Sequence, residues 1–227
     1  MKRILIVAAH PDDDILGCGG LISKYQSKGA IFKILFIGEG STARFKDVES
    51  KEAKDAIKYR NSLALKALKF LNIEDVEFNN LVCAKFDQIP IIEINRIIER
   101  NIKDFDPDTL LTHSPFDANI DHQIVFNATI MATRPGALNH VKKLMSFEIL
   151  SSSEWAFTRS FNPNYFEELD ESHLESKCHA LSIYESEIKK YPFPRSLEGI
   201  RVLAMMRGMQ SGFKYAEAFN IVRVLQQ

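Results

Sequence analysis

Six consecutive apolar residues, Ile4-Leu5-Ile6-Val7-Ala8-Ala9, run directly into His10-Pro11-Asp12-Asp13-Asp14. A run this short, with no polar residue at alternate positions, reads as a strand over residues 3–9 buried on both faces. A parallel sheet covered by helices on each side provides that environment. The three carboxylates that follow repel one another, so a fold that gathers them must bring counter-charge to the same place. This one stretch asks for an α/β architecture and for a charged site at the end of its first strand.

The rest of the pattern agrees. Helices are expected over residues 17–28, stopped by Gly29, over 48–70, from Pro90 to 102 with Pro90 in the first turn, and over 121–133, halted by Arg134-Pro135-Gly136. Between them lie strands at 31–37, 76–82 (weak), 109–112 and 144–150. Helices at 171–190 and 196–208 and a closing strand from Ala218 to Leu225 complete the chain. Strands alternating with helices through the first two thirds define a Rossmann-like, doubly wound, mostly parallel sheet with a C-terminal helical and strand elaboration. With 227 residues, 45% hydrophobic content and no repeat or linker, residues 1–227 read as one domain.

Composition excludes several classes. A net charge of −1 offers no basic excess for nucleic acid. The three cysteines, Cys18, Cys83 and Cys178, form no CxxC pair, which argues against a thiolate zinc site and a disulfide framework. The N-terminal apolar run is too short for a signal peptide and lacks a cleavage site, and no window reaches a membrane span. A cytoplasmic protein without nucleic-acid or membrane partners is expected, and the apolar stretch from Ala218 to Leu225 is a candidate surface for a homo-oligomer.

In open α/β sheets ligands sit at the carboxyl ends of the strands. Three polar loops fall there: His10 to Asp14, Gly38 to Thr42, and the segment after Thr112-His113. His10 and Asp13 can offer a nitrogen and an oxygen to one ion, and Asp121-His122 opens a later helix. Two histidines and an aspartate with one position left open are the usual design of a catalytic zinc site, and iron(II) accepts the same set. Asp12 is then free to act as a base, and Asp14 reads as a helix cap. His113 is either a pocket residue or a buried, hydrogen-bonded one. His140, His173 and His179 read as surface or packing residues, and Trp155 as core. Arg44, Arg60, Arg134 and Arg195 lie near loops and can bind substrate anions, with Arg44 preferred. Three rivals compete: a metal-dependent sugar-nucleotide transferase, a phosphorylation-controlled receiver module, and a metal- or metabolite-binding domain without catalysis. Ile22 stands where a dinucleotide fingerprint needs glycine, and Leu81-Val82-Cys83 lacks the aspartate of a receiver.

Ala9-His10-Pro11-Asp12-Asp13-Asp14, its Gly17-Cys18-Gly19-Gly20 tail and the Asp121-His122 pair resemble the PIG-L/LmbE-like family of metal-dependent N-acetylglucosaminyl deacetylases. The resemblance implies a Rossmann-like fold, zinc on His10, Asp13 and His122, and Asp12 as the base that later passes its proton to the leaving amine. It implies Asp121 as an orienting residue; Arg44, Arg60 and His113 stay candidates for substrate binding from their places near the loops. The implied reaction is water attack on the acetamide of an N-acetylated amino sugar or conjugate, in bacterial glycan, nucleotide-sugar or glycoconjugate metabolism. One departure stands out. Family members often carry His-Pro-Asp-His where this chain has Asn119-Ile120-Asp121-His122. Asn119 can donate a hydrogen bond to an oxyanion but carries no positive charge.

Overall fold

A computed structural model describes residues 1–136 and 141–226, so His140 lies outside the described residues. The elements in chain order are β1 (Arg3–Ala8), α1 (Asp13–Gln26), β2 (Ile31–Gly38), α2 (Lys51–Phe70), β3 (Val76–Leu81), α3 (Ile91–Phe105) and β4 (Thr109–His113). Then follow α4 (Ile120–Ala132), β5 (Lys143–Phe147), β6 (Tyr165–Leu169), α5 (Glu171–Ser182), α6 (Leu197–Ser211) and β7 (Tyr215–Val224). The sheet order is β3-β2-β1-β4-β5-β7-β6. The pairs from β3 to β5 are parallel, and β7 runs antiparallel to both neighbours.

Strand alternation divides the core in two. Ile4, Ile6, Ile34, Phe36, Met145 and Phe147 face α1, α2, α5 and α6. Leu5, Val7, Leu35, Leu110 and Leu144 face α3 and α4. β1 is buried on both sides, which is why its sequence shows no alternation.

Several boundaries differ from the sequence expectation. α1 starts at Asp13, four residues before the expected start, because Asp12 turns the chain with φ 119° and leaves the next residue helical. Its glycines serve packing: a Cβ on Gly17 would lie 2.4 Å from the Phe147 ring, and one on Gly20 would lie 2.4 Å from Leu169. α1 therefore lies flat on the sheet. Pro90 caps α3 from outside rather than sitting in its first turn. The helix expected to reach 190 ends at Ser182, and the strand expected to reach 150 ends at Phe147. β6 was hidden by its acidic residues; Glu167 is nonetheless buried, 2.6 Å from Lys24 Nζ and 2.7 Å from the Tyr165 hydroxyl. β7 pairs with β6 over Tyr215–Phe219 and with β5 over Phe219–Val224, so among the described residues no strand covers its β6-side edge beyond Phe219. Trp155 is 43% exposed, resting edge-on against Phe193 rather than in the core.

Candidate metal centre and its cleft

The ends of β1, β2 and β4 and the start of α4 meet at one edge of the sheet. β1 delivers His10, whose backbone N–H donates to Asp13 Oδ2 at 2.9 Å. β4 delivers His113, whose Nε2 accepts the Ala9 N–H at 2.8 Å. Asn119 caps α4, its Oδ1 accepting from the Asp121 N–H at 2.9 Å. Asp13 sits in the first turn of α1, where a carboxylate complements the helix dipole. Asp12 holds φ 119° without being glycine, a strained conformation of the kind that collects at functional sites.

Among the described residues, ligand atoms of His10, Asp13 and His122 come within 4.8 Å of one another, and all three side chains are buried. Asp13 Oδ2 lies 3.5 Å from His10 Nδ1 and 3.3 Å from His122 Nε2. Tetrahedral bonds of about 2.0–2.1 Å put donor atoms roughly 3.3–3.4 Å apart, so this spacing suits an ion between them. The second nitrogen of each histidine is held from behind. His10 Nε2 bonds Asp121 Oδ2 at 3.0 Å, and His122 Nδ1 approaches Asp117 Oδ1 at 3.1 Å, off the ideal line. Carboxylates behind ligating histidines are the usual outer partners of a zinc site. Asp121 also accepts the Ala84 N–H at 2.7 Å, and Asp117 accepts the Ser153 hydroxyl at 2.7 Å and the Ser152 hydroxyl. A second group, His10, Cys83 and Asp121, shares His10 with the first.

The electrostatics agree with the donor set. Burial lowers His122, but Asp13 and Asp117 outweigh it and push its pKa up to about 9. Burial also opposes protonation of His10, yet Asp121 and Asp13 raise it well above the ordinary value. Burial raises Asp13, but His122 and His113 hold it well below the carboxylate range. Asp117 is opposed by its own burial and is drawn down to about 2 by His122. The field here favours positive charge, which a divalent cation supplies in place of the protons it displaces.

Asp12 faces the cleft from beside this group. Its Oδ1 lies 2.9 Å from Arg60 Nη2 and its Oδ2 lies 2.9 Å from Arg195 Nη1. Burial raises its pKa against the pull of both guanidiniums. Glu187 joins the same arginines: Arg60 Nη1 at 2.7 Å, Arg195 Nη1 at 3.3 Å, and Arg44 by two bonds of 2.9 and 2.8 Å. Three guanidiniums thus meet two carboxylates, leaving one positive charge over. Gly40, at φ +70°, lets the loop after β2 close on this cluster; a Cβ there would lie 2.9 Å from His10 Cβ. The cleft of about 150 Å³ is bordered by His10, Asp12, Asp13, Asn119 and His122, with Cys83, Ser151 and the three arginines around them.

Nine of the residues singled out in the sequence therefore meet here: His10, Asp12, Asp13, Arg44, Arg60, Asn119, Asp121, His122 and Arg195. His113 does not line the cleft. It is fully buried and stacks on His122 with ring centroids 3.9 Å apart, so it supports the site from beneath. Asp14 is not a cap. It lies inside α1 with both carboxyl oxygens buried and unpartnered, and burial with the neighbouring Asp12 charge pushes it up to about 8. Arg134 is spent on the Met131 carbonyl at 3.0 Å. His173 belongs to the capping box of α5, and His179 packs on Phe70. Asp117 and Glu187 were missed. Asp117 shows only a turn-forming signal, and Glu187 has no local signal at all.

A Rossmann-like sheet with a His-Asp-His donor set at its carboxyl edge defines a class of α/β proteins with a candidate metal centre. Residues 5–133 match the PIG-L family, described as GlcNAc-PI de-N-acetylase, and the chain belongs to that family. An uncharacterized deacetylase of Escherichia coli, YaiS, is 26% identical over 192 residues, covering 82% of this chain and 91% of the relative. Among solved structures, N,N'-diacetylchitobiose deacetylase from Pyrococcus horikoshii aligns with a TM-score of 0.77 at 20% identity, over 97% of this chain and 84% of that one. The 4-carboxy-2-hydroxymuconate hydratase GalB from Pseudomonas putida aligns with a TM-score of 0.74 at 22% identity, over 100% and 99%. A deacetylase and a hydratase on one fold mean that the fold alone does not choose the reaction.

Proposed function

We propose that this protein is a metal-dependent hydrolase that removes the acetyl group from an N-acetylated amino sugar or its conjugate. The observation that carries the reading is the convergence of His10, Asp13 and His122 beside the buried Asp12, in a chain of the PIG-L family. His10 Nδ1, Asp13 Oδ2 and His122 Nε2 would hold the ion, zinc or iron(II). A divalent cation there supplies a Lewis acid and lowers the pKa of a water that it holds.

The remaining steps belong to the chain. Asp12 takes the proton of the attacking water and returns it to the departing nitrogen. Burial, which raises its proton affinity, suits it to a base, while Arg60 and Arg195 fix the direction of its oxygens. Asp121 and Asp117 hold the two imidazoles in place. Asn119 has its Oδ1 occupied by the Asp121 N–H, so its NH₂ is the end left to donate to the developing oxyanion. Arg44, on the exposed rim, is the arginine best placed to meet the substrate; Arg60 is buried and serves Asp12 and Glu187.

The test is metal content together with acetate release from a panel of N-acetylated sugars and nucleotide sugars. Wild type carries about one ion per chain and releases acetate from at least one panel member. His122→Ala loses the ion. Asp12→Asn keeps it and loses about 10²–10⁴-fold in turnover. Turnover that survives Asp12→Asn removes Asp12 as the base. Stoichiometric metal without acetate release from any member speaks for a metal-binding domain without this activity.

A further inference from the structure

We propose that the outer face of α6 is a homodimer interface, on which two copies of this chain pack helix against helix, antiparallel, about a two-fold axis. The inward side of α6 sends Ile200 and Ala204 into the core. The outward side should then be polar, as on a helix that meets water. It is not. Val202 is 52% exposed, Met205 43%, Met206 38%, Met209 78%, and Phe213, just past the helix end, 38%. The steps of three and four residues place these side chains in one stripe.

The area is large enough to matter. At about 200 Å² for a large side chain, the stripe leaves on the order of 500 Å² of apolar surface open. Phe157, 89% exposed, borders the same groove as Leu203 and Met206 and extends the patch. Two such faces together remove roughly 1,300 Å² from water, within the range of specific interfaces. A monomer seldom leaves a patch of this size bare.

A second copy is the occupant that fits both shape and charge. With the axis between Met205 and Met206, Val202 of one copy faces Met209 of the other, so branched and flexible side chains alternate across the seam. Glu198 then falls opposite the Phe213–Lys214 end. Glu198 is exposed and has no ion-pair partner among the described residues, and Lys214 pairs with the exposed Glu171 at 2.9 Å and lies 4.9 Å from the Tyr215 ring centroid. Acidic at one end and basic at the other, the stripe complements itself only when reversed. The stretch from Ala218 to Leu225, the surface expected from the sequence, exposes Val222, Val224 and Leu225, fewer apolar side chains than the α6 stripe.

Sedimentation equilibrium of the full chain across about 1–100 μM decides the matter, since interfaces of this size bind at micromolar affinity or tighter. Wild type is expected to dimerise. Met209→Glu buries an unpaired charge against the partner and is expected to weaken the dimer by about 100-fold or more. At a concentration where both are monomeric its melting temperature should match the wild-type value, because Met209 is 78% exposed on its own chain. Val222→Glu, an exposed apolar position on β7, should leave the dimer intact. A wild type that stays monomeric at the highest concentration overturns the proposal. So does a dimer indifferent to Met209→Glu, or one that Val222→Glu abolishes.

Discussion

Asp117→Asn is the sharpest probe of the metal centre, because it alters a residue that touches no ion directly. Asp117 stands behind His122, 3.1 Å from Nδ1, and is itself fixed by the Asn119 N–H at 2.9 Å and by the hydroxyls of Ser152 and Ser153. The amide has the same shape. It keeps an oxygen for the Asn119 N–H and for one serine, but loses the negative charge that polarises the imidazole. Removing an outer-sphere carboxylate of this kind costs about 10–100-fold in metal affinity. That is about 1.4–2.8 kcal/mol, since 1.4 kcal/mol is a factor of ten. Competition against a chromophoric zinc chelator measures it directly, wild type beside variant, with melting curves of both apoproteins to show that the fold is retained. A zinc affinity within twofold of wild type refutes the assignment of His122 Nε2 as a ligand supported through Nδ1. An intermediate result follows if Ser152 and Ser153 alone hold the loop, and Ser152→Ala separates that contribution.

Three further outcomes follow. Glu187 is opposed by its own burial but held down to about 2 by Arg44, Arg60 and Arg195, below its usual value. Its folded pKa is depressed, so its stabilisation is present above about pH 4.3 and fades as pH falls towards 2. The melting-temperature gap between wild type and Glu187→Gln should therefore narrow on acidification from pH 6 to pH 3; a constant gap counts against the ion-pair origin. Gly17→Ala drives a methyl into the Phe147 ring and should cost about 1–3 kcal/mol by urea denaturation, partly recovered by Phe147→Leu; an unchanged midpoint would show that α1 does not lie as close to β5 as described. Zinc at about 100 times its dissociation constant should stabilise the apoprotein by about 2.7 kcal/mol, and His122→Ala should abolish that gain in calorimetry.

The proposed metal donors were legible as a cluster because each rests on a local signal. An apolar strand announces β1 and leaves His10 and Asp13 at its end, and Asp121-His122 stands at a helix start that Asn119 caps. Their partners were not legible for the opposite reason. Glu187 and Arg195 sit in turns of the C-terminal region, and nothing near them in sequence marks them as neighbours of Asp12. Asp14 misled because a third aspartate after a strand looks like a cap, whereas the strained turn at Asp12 had already begun the helix. Trp155 misled because aromatic bulk suggests burial, while the turn that carries it is held from its other side, where Glu154 accepts the Ser151 and Ser152 N–H groups. β6 escaped notice because Glu167 and Glu168 break the apolar pattern, and burial of Glu167 depends on Lys24 from another element.

The bond between Asp12 and Arg195 spans 183 residues. A chain made at 5–20 residues per second waits roughly 10–40 s between the two. His122 emerges 110 residues into that interval, and for the 73 residues that follow Asp12 still lacks one of its two guanidiniums. The link from Glu217 to the Gly20 N–H, 197 residues apart, closes later still and ties the last strand back to the first helix. Assembly of this cleft is therefore one of the final events in the life of a new molecule. A chain that has grown past His122 carries the three proposed donors while the proposed base still lacks Arg195, so the two halves of the cleft are completed at different times.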